Sequence, residues 1–279
     1  MQFKKIERED IARLLPYFRA QKTRLSNYSA GFLFMWGKYL NTQFAEEEGC
    51  LLLFDRYVGK QYFYWPLSAN GDGAAEERAA RRIEDYCRYN NIRLHFTAVP
   101  AERLPALVLQ YGADMHVSNI RRWRDYLYNA EDFKLYPGGK YSGQRNHVNK
   151  FKKNNPDWSF RACTEKDLPE IRAFLREFAA VQYEKEDVLA DEEMRGTLDI
   201  LPHLFEFGMR CGALYAGGEM VAFSAGELCG DTMVVHIEKA KREVPGAYPA
   251  VAQLFAREFC GEGVLCINRE DDAGDAGLR

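Results

Sequence analysis

The chain contains no apolar run of about 18 residues, the length a membrane-spanning helix needs. Its opening, Met1–Gln2–Phe3–Lys4–Lys5–Ile6, lacks the apolar stretch of a secretory leader. No C-x-x-C pair occurs among the seven cysteines, Cys50, Cys87, Cys163, Cys211, Cys229, Cys260 and Cys266. Odd in number and scattered, they argue against a disulfide framework or a zinc site and predict reduced, mostly buried thiols in a cytoplasmic protein. The sequence also lacks G-x-G-x-x-G, a P-loop, a nucleophile elbow and H-E-x-x-H, so hydride transfer, nucleotide hydrolysis and serine catalysis have no support. Strong net charge is missing too. At −3 over 279 residues, any polyanion must be met by a local patch.

What is present is a large apolar and aromatic fraction, 47% and 14%, enough for one large core or two ordinary ones. Periodicity predicts helices near 8–19, 76–89, 101–111, 142–154, 167–184, 191–207 and 249–260. Strands are predicted near 50–55, 61–65, 92–99, 121–128, 158–163, 211–216, 220–228, 232–239 and 264–268. Gly217–Gly218 is a two-residue hairpin turn. Both halves run helix, antiparallel strands, helix, strand. The expected fold is mixed α/β (α+β sheets) in two lobes with a cleft between them, residues 1–135 and 136–279. The boundary falls in the turn-rich segment 129–141, which holds Tyr136–Pro137–Gly138–Gly139.

The richest segment is Val234–Val235–His236–Ile237–Glu238–Lys239–Ala240, followed by a basic glycine turn, Lys241 to Tyr248. His236 and Glu238 interrupt an apolar strand, and side chains two apart on a regular strand share a face. A buried carboxylate costs several kcal/mol unless it is paired, so Glu238 is either half of an ion pair or a working group. The turn then feeds a helix, and main-chain amides at a helix start attract anions. Strand, turn and helix together suit acyl transfer from a phosphate-bearing donor. A second basic run, with Lys134, Lys140, Arg145, Lys150, Lys152 and Lys153 and no acid among them, is either a phosphate or RNA-backbone patch or a solvated helix face. Ile267–Asn268–Arg269–Glu270–Asp271 follows the final strand, where α/β proteins often line a site. Its spacing is not that of an EF-hand, and no metal is expected there.

Several segments in combination resemble one bacterial family. They are Ser26–Asn27–Tyr28–Ser29 with Trp36, Asp125–Tyr126–Leu127–Tyr128, Gly139–Lys140–Tyr141, Arg145 to Phe151, His236 to Ala240, Gly246–Ala247–Tyr248 and Ile267 to Asp271. The family comprises soluble proteins similar to the C-terminal catalytic domain of phosphatidylglycerol lysyltransferase. The resemblance implies two tandem lobes of the GCN5-related acetyltransferase type and kinship with the Fem aminoacyltransferases, which draw on charged tRNA. Members of that family run on past the residue corresponding to Arg279, so a shortened C-terminal lobe is expected.

The implied activity is acyl transfer, aminoacyl from tRNA, to an amine or hydroxyl acceptor. An acyl-CoA-dependent N-acyltransferase and a silent RNA- or peptide-binding module are the alternatives. Glu238, Lys239 and Tyr248 are the expected catalytic residues. Lys140, Arg145, Arg242, Gly246 and Ala247 would hold the donor. His236, Asn268, Arg269 and Glu270 would shape the acceptor pocket. No tightly bound cofactor is expected; aminoacyl-tRNA or acyl-CoA is a co-substrate, and the partners are tRNA and a small-molecule or peptide acceptor.

Overall fold

The computed structural model describes residues 1–182, 188–272 and 274. The chain forms two compact units, one built on Met1–Arg124 and one on Asp125–Glu270, with Asp271 and Asp272 grouped with the first.

The first unit runs β1 (Lys4–Lys5), α1 (Arg8–Ala20), α2 (Ala30–Leu40), β2 (Gln43–Glu47), β3 (Cys50–Tyr57), β4 (Lys60–Tyr64), β5 (Leu67–Ser68), α3 (Gly73–Tyr89), β6 (Phe96–Thr97) and α4 (Leu104–Tyr111). Its sheet has the order β1-β2-β3-β4-β6, with β5 also paired to β3. Strand β3 is buried on both faces, which suits the run Cys50–Leu51–Leu52–Leu53–Phe54. The Ala75, Ala79 and Ile83 face of α3 packs against it. Asp55 ends that run. Thr42 and Tyr64 donate hydrogen bonds of 2.6 and 2.7 Å to its carboxylate, yet burial still pushes its pKa up to about 6.

The Ser26–Ser29 motif is structural here. Ser29 caps α2 by accepting from the Phe32 amide, and the buried Tyr28 hydroxyl lies 2.9 and 3.0 Å from the carbonyls of Trp65 and Ala98. Helix α2 was not expected, because its all-round apolar sequence lacks the helical period. The predicted strand at 92–99 shrinks to the two residues of β6, and that at 121–128 becomes a 3-10 turn followed by a short strand.

The second unit runs β7 (Leu127–Asn129), α5 (Ala130–Leu135), α6 (Ser142–Asn154), β8 (Ser159–Ala162), α7 (Leu168–Gln182), α8 (Val188–Ile200), β9 (Arg210–Ala216), β10 (Glu219–Cys229), β11 (Thr232–Ala240), α9 (Ala247–Phe259) and β12 (Cys266–Asn268). The sheet order is β7-β12-β11-β10-β9-β8, mixed because β11 and β12 are parallel. Pairing of β7 with β12 places residues 125–135 in this unit, ahead of the 135/136 boundary read from the turn signals. The Gly217–Gly218 hairpin forms as expected, both residues having positive φ (61° and 78°). Helix α6 spans the predicted 142–154, with Val148 and Phe151 inward. The end of the 167–184 helix prediction, residues 183 and 184, lies outside the described residues.

Helix α9 crosses the sheet through Ala250, Val251, Phe255 and Ala256, all nearly inaccessible. Each large side chain so buried contributes about 1.5–3 kcal/mol. Small residues on that face let the helix lie close, and Gly246 lets it meet α6. Gly246 has φ +88°, and a Cβ there would stand 2.3 Å from the His147 carbonyl oxygen. All seven cysteines are buried thiols that form no disulfide, as their scatter suggested. Among the described residues no helix is long and apolar enough to cross a membrane.

Candidate active site

The site is built around an irregularity in β11. Ala225 pairs with Ile237 while its neighbour Gly226 pairs with Val235, so His236 is an extra residue in the ladder. Such a bulge resets the alternation of side chains. Val235 and Ala240, of opposite parity, both pack in the α9 core, which a regular strand would forbid. Glu238 follows the parity of Ala240. His236 and Glu238 therefore do not share a face, contrary to the spacing rule applied to the sequence. Gly226 is required opposite the bulge, because a Cβ there would lie 2.4 Å from the Val234 carbonyl oxygen.

On the α9 face, Glu238 accepts a 2.5 Å hydrogen bond from the Arg269 guanidinium. Arg269 also lies over the Phe133 ring, 5.9 Å from its centroid. The Glu238 charge lifts the pKa of Arg269, against an opposing effect of burial.

On the other side, His236 is enclosed. Its Nε2 is 2.9 Å from Glu227 and its Nδ1 is 2.7 Å from Glu270, with no side-chain surface exposed. Burial alone would lower its pKa, but the two carboxylates outweigh burial and raise it to about 9. His236 is thus an imidazolium at neutral pH. Burial raises the pKa of Glu270, and His236 opposes that rise.

The backbone beyond β12 makes both pairings possible. Asn268 accepts from the Glu270 amide at 2.7 Å, and Glu270 adopts a left-handed φ of 57°. Arg269 and Glu270 consequently serve different neighbours. Asn268 is itself fully buried and donates to Asp125 at 2.5 Å. His236 and Asn268 are thus framework and do not line an acceptor pocket; Arg269 and Glu270 keep partial exposure, 35% and 20%.

An open hollow of about 240 Å³ lies at the turn between β11 and α9, lined by His147, Lys241, Arg242, Val244, Pro245, Gly246, Ala247, Tyr248 and Pro249. Arg242 is exposed on its rim. Lys241 is shared with Glu177 at 3.0 Å and Glu219 at 3.6 Å. The start of α9 supplies fewer amides than a general helix: Ala247 donates to the Val244 carbonyl and Pro249 has no N–H. Anion attraction here rests on the cations and the helix dipole more than on a row of main-chain donors. Burial raises the Tyr248 pKa, the Lys239 charge and a backbone hydrogen bond with Ala240 oppose this, and Glu238 adds to the rise. Tyr248 lines the hollow and feels the Glu238 charge, whereas Glu238 does not itself line it.

One predicted catalytic residue, Lys239, and two predicted donor residues, Arg145 and Lys140, do not line the hollow. Lys239 is buried in an ion pair with Glu193 at 2.5 Å and lies over the Phe178 ring. Arg145 donates to the carbonyls of Tyr136 and Gly138, and so braces the turn before α6. Lys140 sits over the Tyr141 ring, 5.1 Å from its centroid. The site residues missed in the sequence are Lys241, His147, Glu227, Glu193 and Asp125. Lys241 adjoins the motif and could have been found; the others reach it only through tertiary contacts.

Residues 18–279 match the family described as "Phosphatidylglycerol lysyltransferase, C-terminal". The chain belongs to this family. No curated protein matches the sequence. Among solved structures, a conserved protein of unknown function from Bacteroides thetaiotaomicron superposes with a TM-score of 0.90 at 25% identity, over 100% of this chain and 93% of that one. L-PGS from Bacillus licheniformis gives 0.63 at 14% identity, over 99% and 82%. FemX gives 0.56 at 8% identity, over 100% and 92%. The last two show a shared fold. In this phosphatidylglycerol lysyltransferase-like domain, the bulged strand, the Glu238–Arg269 pair and the β11–α9 hollow all fall inside the matched region.

Proposed function

We propose that the second unit transfers an aminoacyl group from aminoacyl-tRNA to an amine or hydroxyl acceptor. The observation that carries this reading is the hollow at the β11–α9 turn, lined by Lys241, Arg242 and Tyr248, after the strand that carries Glu238, paired with Arg269, in a chain of the lysyltransferase family. Arg242, Lys241 and His147, which line the hollow, would meet donor phosphate. Arg269 fixes the direction of the Glu238 carboxylate, and Glu238 receives the proton of the attacking amine or hydroxyl. The new bond forms at the aminoacyl carbonyl as its ester C–O bond breaks. Tyr248 keeps its proton at neutral pH and passes it to the departing ribose oxygen, then regains one from solvent as Glu238 releases to solvent the one it took. Holding donor and acceptor together supplies much of the rate, so one well-placed carboxylate suffices.

The test is label transfer from tRNA charged with a radioactive amino acid to a panel of amines, peptides and lipids, with labelled acetyl-CoA in parallel. Transfer from tRNA that disappears in Glu238→Gln, with the fold intact by circular dichroism, is the expected result. Transfer from acetyl-CoA alone would assign the hollow to an acyl-CoA donor. No transfer from either, with plain tRNA bound, would leave a binding module.

A further inference from the structure

The segment that follows α4 carries a feature the transfer reading does not use. Met115 packs beneath α4, and the chain then runs exposed to Arg124. Val117, Ile120 and Trp123 recur every third residue and are 54%, 40% and 55% exposed. Interleaved with them are three exposed arginines, Arg121, Arg122 and Arg124. The segment is held in shape despite its exposure. The amides of Trp123 and Arg124 donate to the carbonyls of Ile120 and Arg121, closing a 3-10 turn, and Arg124 Nε donates to Asn119 at 2.8 Å. The Arg122 guanidinium stands 5.1 Å from the Trp123 ring centroid, so one cation and the indole form a single amphipathic knob.

Large apolar side chains cost free energy in water, and a chain seldom fixes three of them outward beside three cations without a partner for both. The apolar members separate the partner classes. A nucleic acid offers phosphates to arginine and a base face to Trp123, but presents little aliphatic surface to Val117 and Ile120. A bilayer interface with negative headgroups satisfies all six: indole and guanidinium groups sit at headgroup level, and the aliphatic chains enter the acyl boundary.

We propose that this segment docks the first unit onto an anionic lipid surface. The contact is peripheral and reversible, since three arginines and three modest anchors bring far less apolar area than a spanning helix. It is independent of the donor site, which belongs to the second unit, so either can fail without the other.

The experiment is flotation of the full chain with phosphatidylcholine vesicles, with and without phosphatidylserine. Phosphatidylserine supplies the charge without being the lipid named by the family, so substrate recognition does not enter. The expected result is flotation only with phosphatidylserine, reversed by high salt. R121Q/R122Q/R124Q should lower the partition coefficient by about a hundredfold, since each arginine near an anionic surface contributes about fivefold. I120S/W123S should lower it by at least about tenfold while the arginines remain. Both variants should melt like the wild type and keep any label transfer from charged tRNA to soluble amines. Equal flotation with pure phosphatidylcholine, none with phosphatidylserine, or flotation undiminished in either variant overturns the proposal. So does tRNA binding lost in the arginine variant without lipid binding, or a dimer in solution that I120S/W123S dissolves.

Discussion

Replacing Gly246 by alanine tests the geometry on which the donor site depends. The residue has φ +88°, and its absent side chain leaves room for α6: a Cβ would fall 2.3 Å from the His147 carbonyl oxygen and 3.0 Å from the Phe151 Cβ. A left-handed conformation costs an alanine about 1–2 kcal/mol. Relieving the overlap by moving α6 or the start of α9 adds about 1–3 kcal/mol. Gly218 is the natural control. It has φ +78° but nothing within 4 Å of the position its Cβ would take, so Gly218→Ala carries the conformational cost alone. Urea unfolding followed by circular dichroism should show Gly218→Ala destabilised by about 1–2 kcal/mol and Gly246→Ala by about 2–5 kcal/mol. Gly246→Ala should also weaken donor binding, because the displaced turn carries Arg242 and Tyr248. If the two variants lose the same stability, α6 does not press on the turn, and the account of how the hollow is shaped is wrong.

Glu238→Gln should abolish label transfer with little change in melting, since the amide retains an acceptor for Arg269 and the pair is partly solvated. Normal turnover in that variant would remove Glu238 from the reaction. His236 gives a pH dependence of definite sign. Its folded pKa, about 9, lies above the ordinary 6.5, so its contribution is complete below about pH 6.5 and is lost as pH rises through about 9. A shift of that size corresponds to about 3 kcal/mol. The stability difference between wild type and His236→Gln should shrink by that order between about pH 6 and pH 9, and a flat difference would show that the imidazolium is not formed. His236→Gln itself should cost about 3–5 kcal/mol at neutral pH, because Glu227 and Glu270 are left facing each other without the cation.

The elements of the second unit were the more legible, and the reasons are physical. Helix α6 has apolar residues only at Val148 and Phe151 on its inner face, and the Gly217–Gly218 turn admits one geometry, so local pattern sufficed. Helix α2 was missed because Phe32–Leu33–Phe34–Met35–Trp36 is apolar all round and carries no period. The boundary was read from glycine and proline, yet pairing between β7 and β12 decides it, a contact far apart in sequence.

Within the site, the residues around the β11–α9 turn were found because glycine, cations and a helix start fall together there. His236 was read as sharing a face with Glu238, but an extra residue there reverses which side chains face α9, and a bulge leaves no mark in the residue types on its own strand. Its trace lies on the partner strand, as Gly226, which is intelligible only once the pairing is known. The carboxylates around His236 come from β10 and from the segment after β12, so nothing near residue 236 announced them.

If the cations at the β11–α9 turn grip the donor's phosphates, equilibrium binding of aminoacyl-tRNA must depend on salt through them. For the wild type, affinity should fall steeply with salt. Lys241→Gln/Arg242→Gln should bind more weakly and show a log–log slope shallower by about 1.4, two contacts to single-stranded phosphate. An affinity and a slope unchanged by the two substitutions would show that Lys241 and Arg242 do not hold the donor.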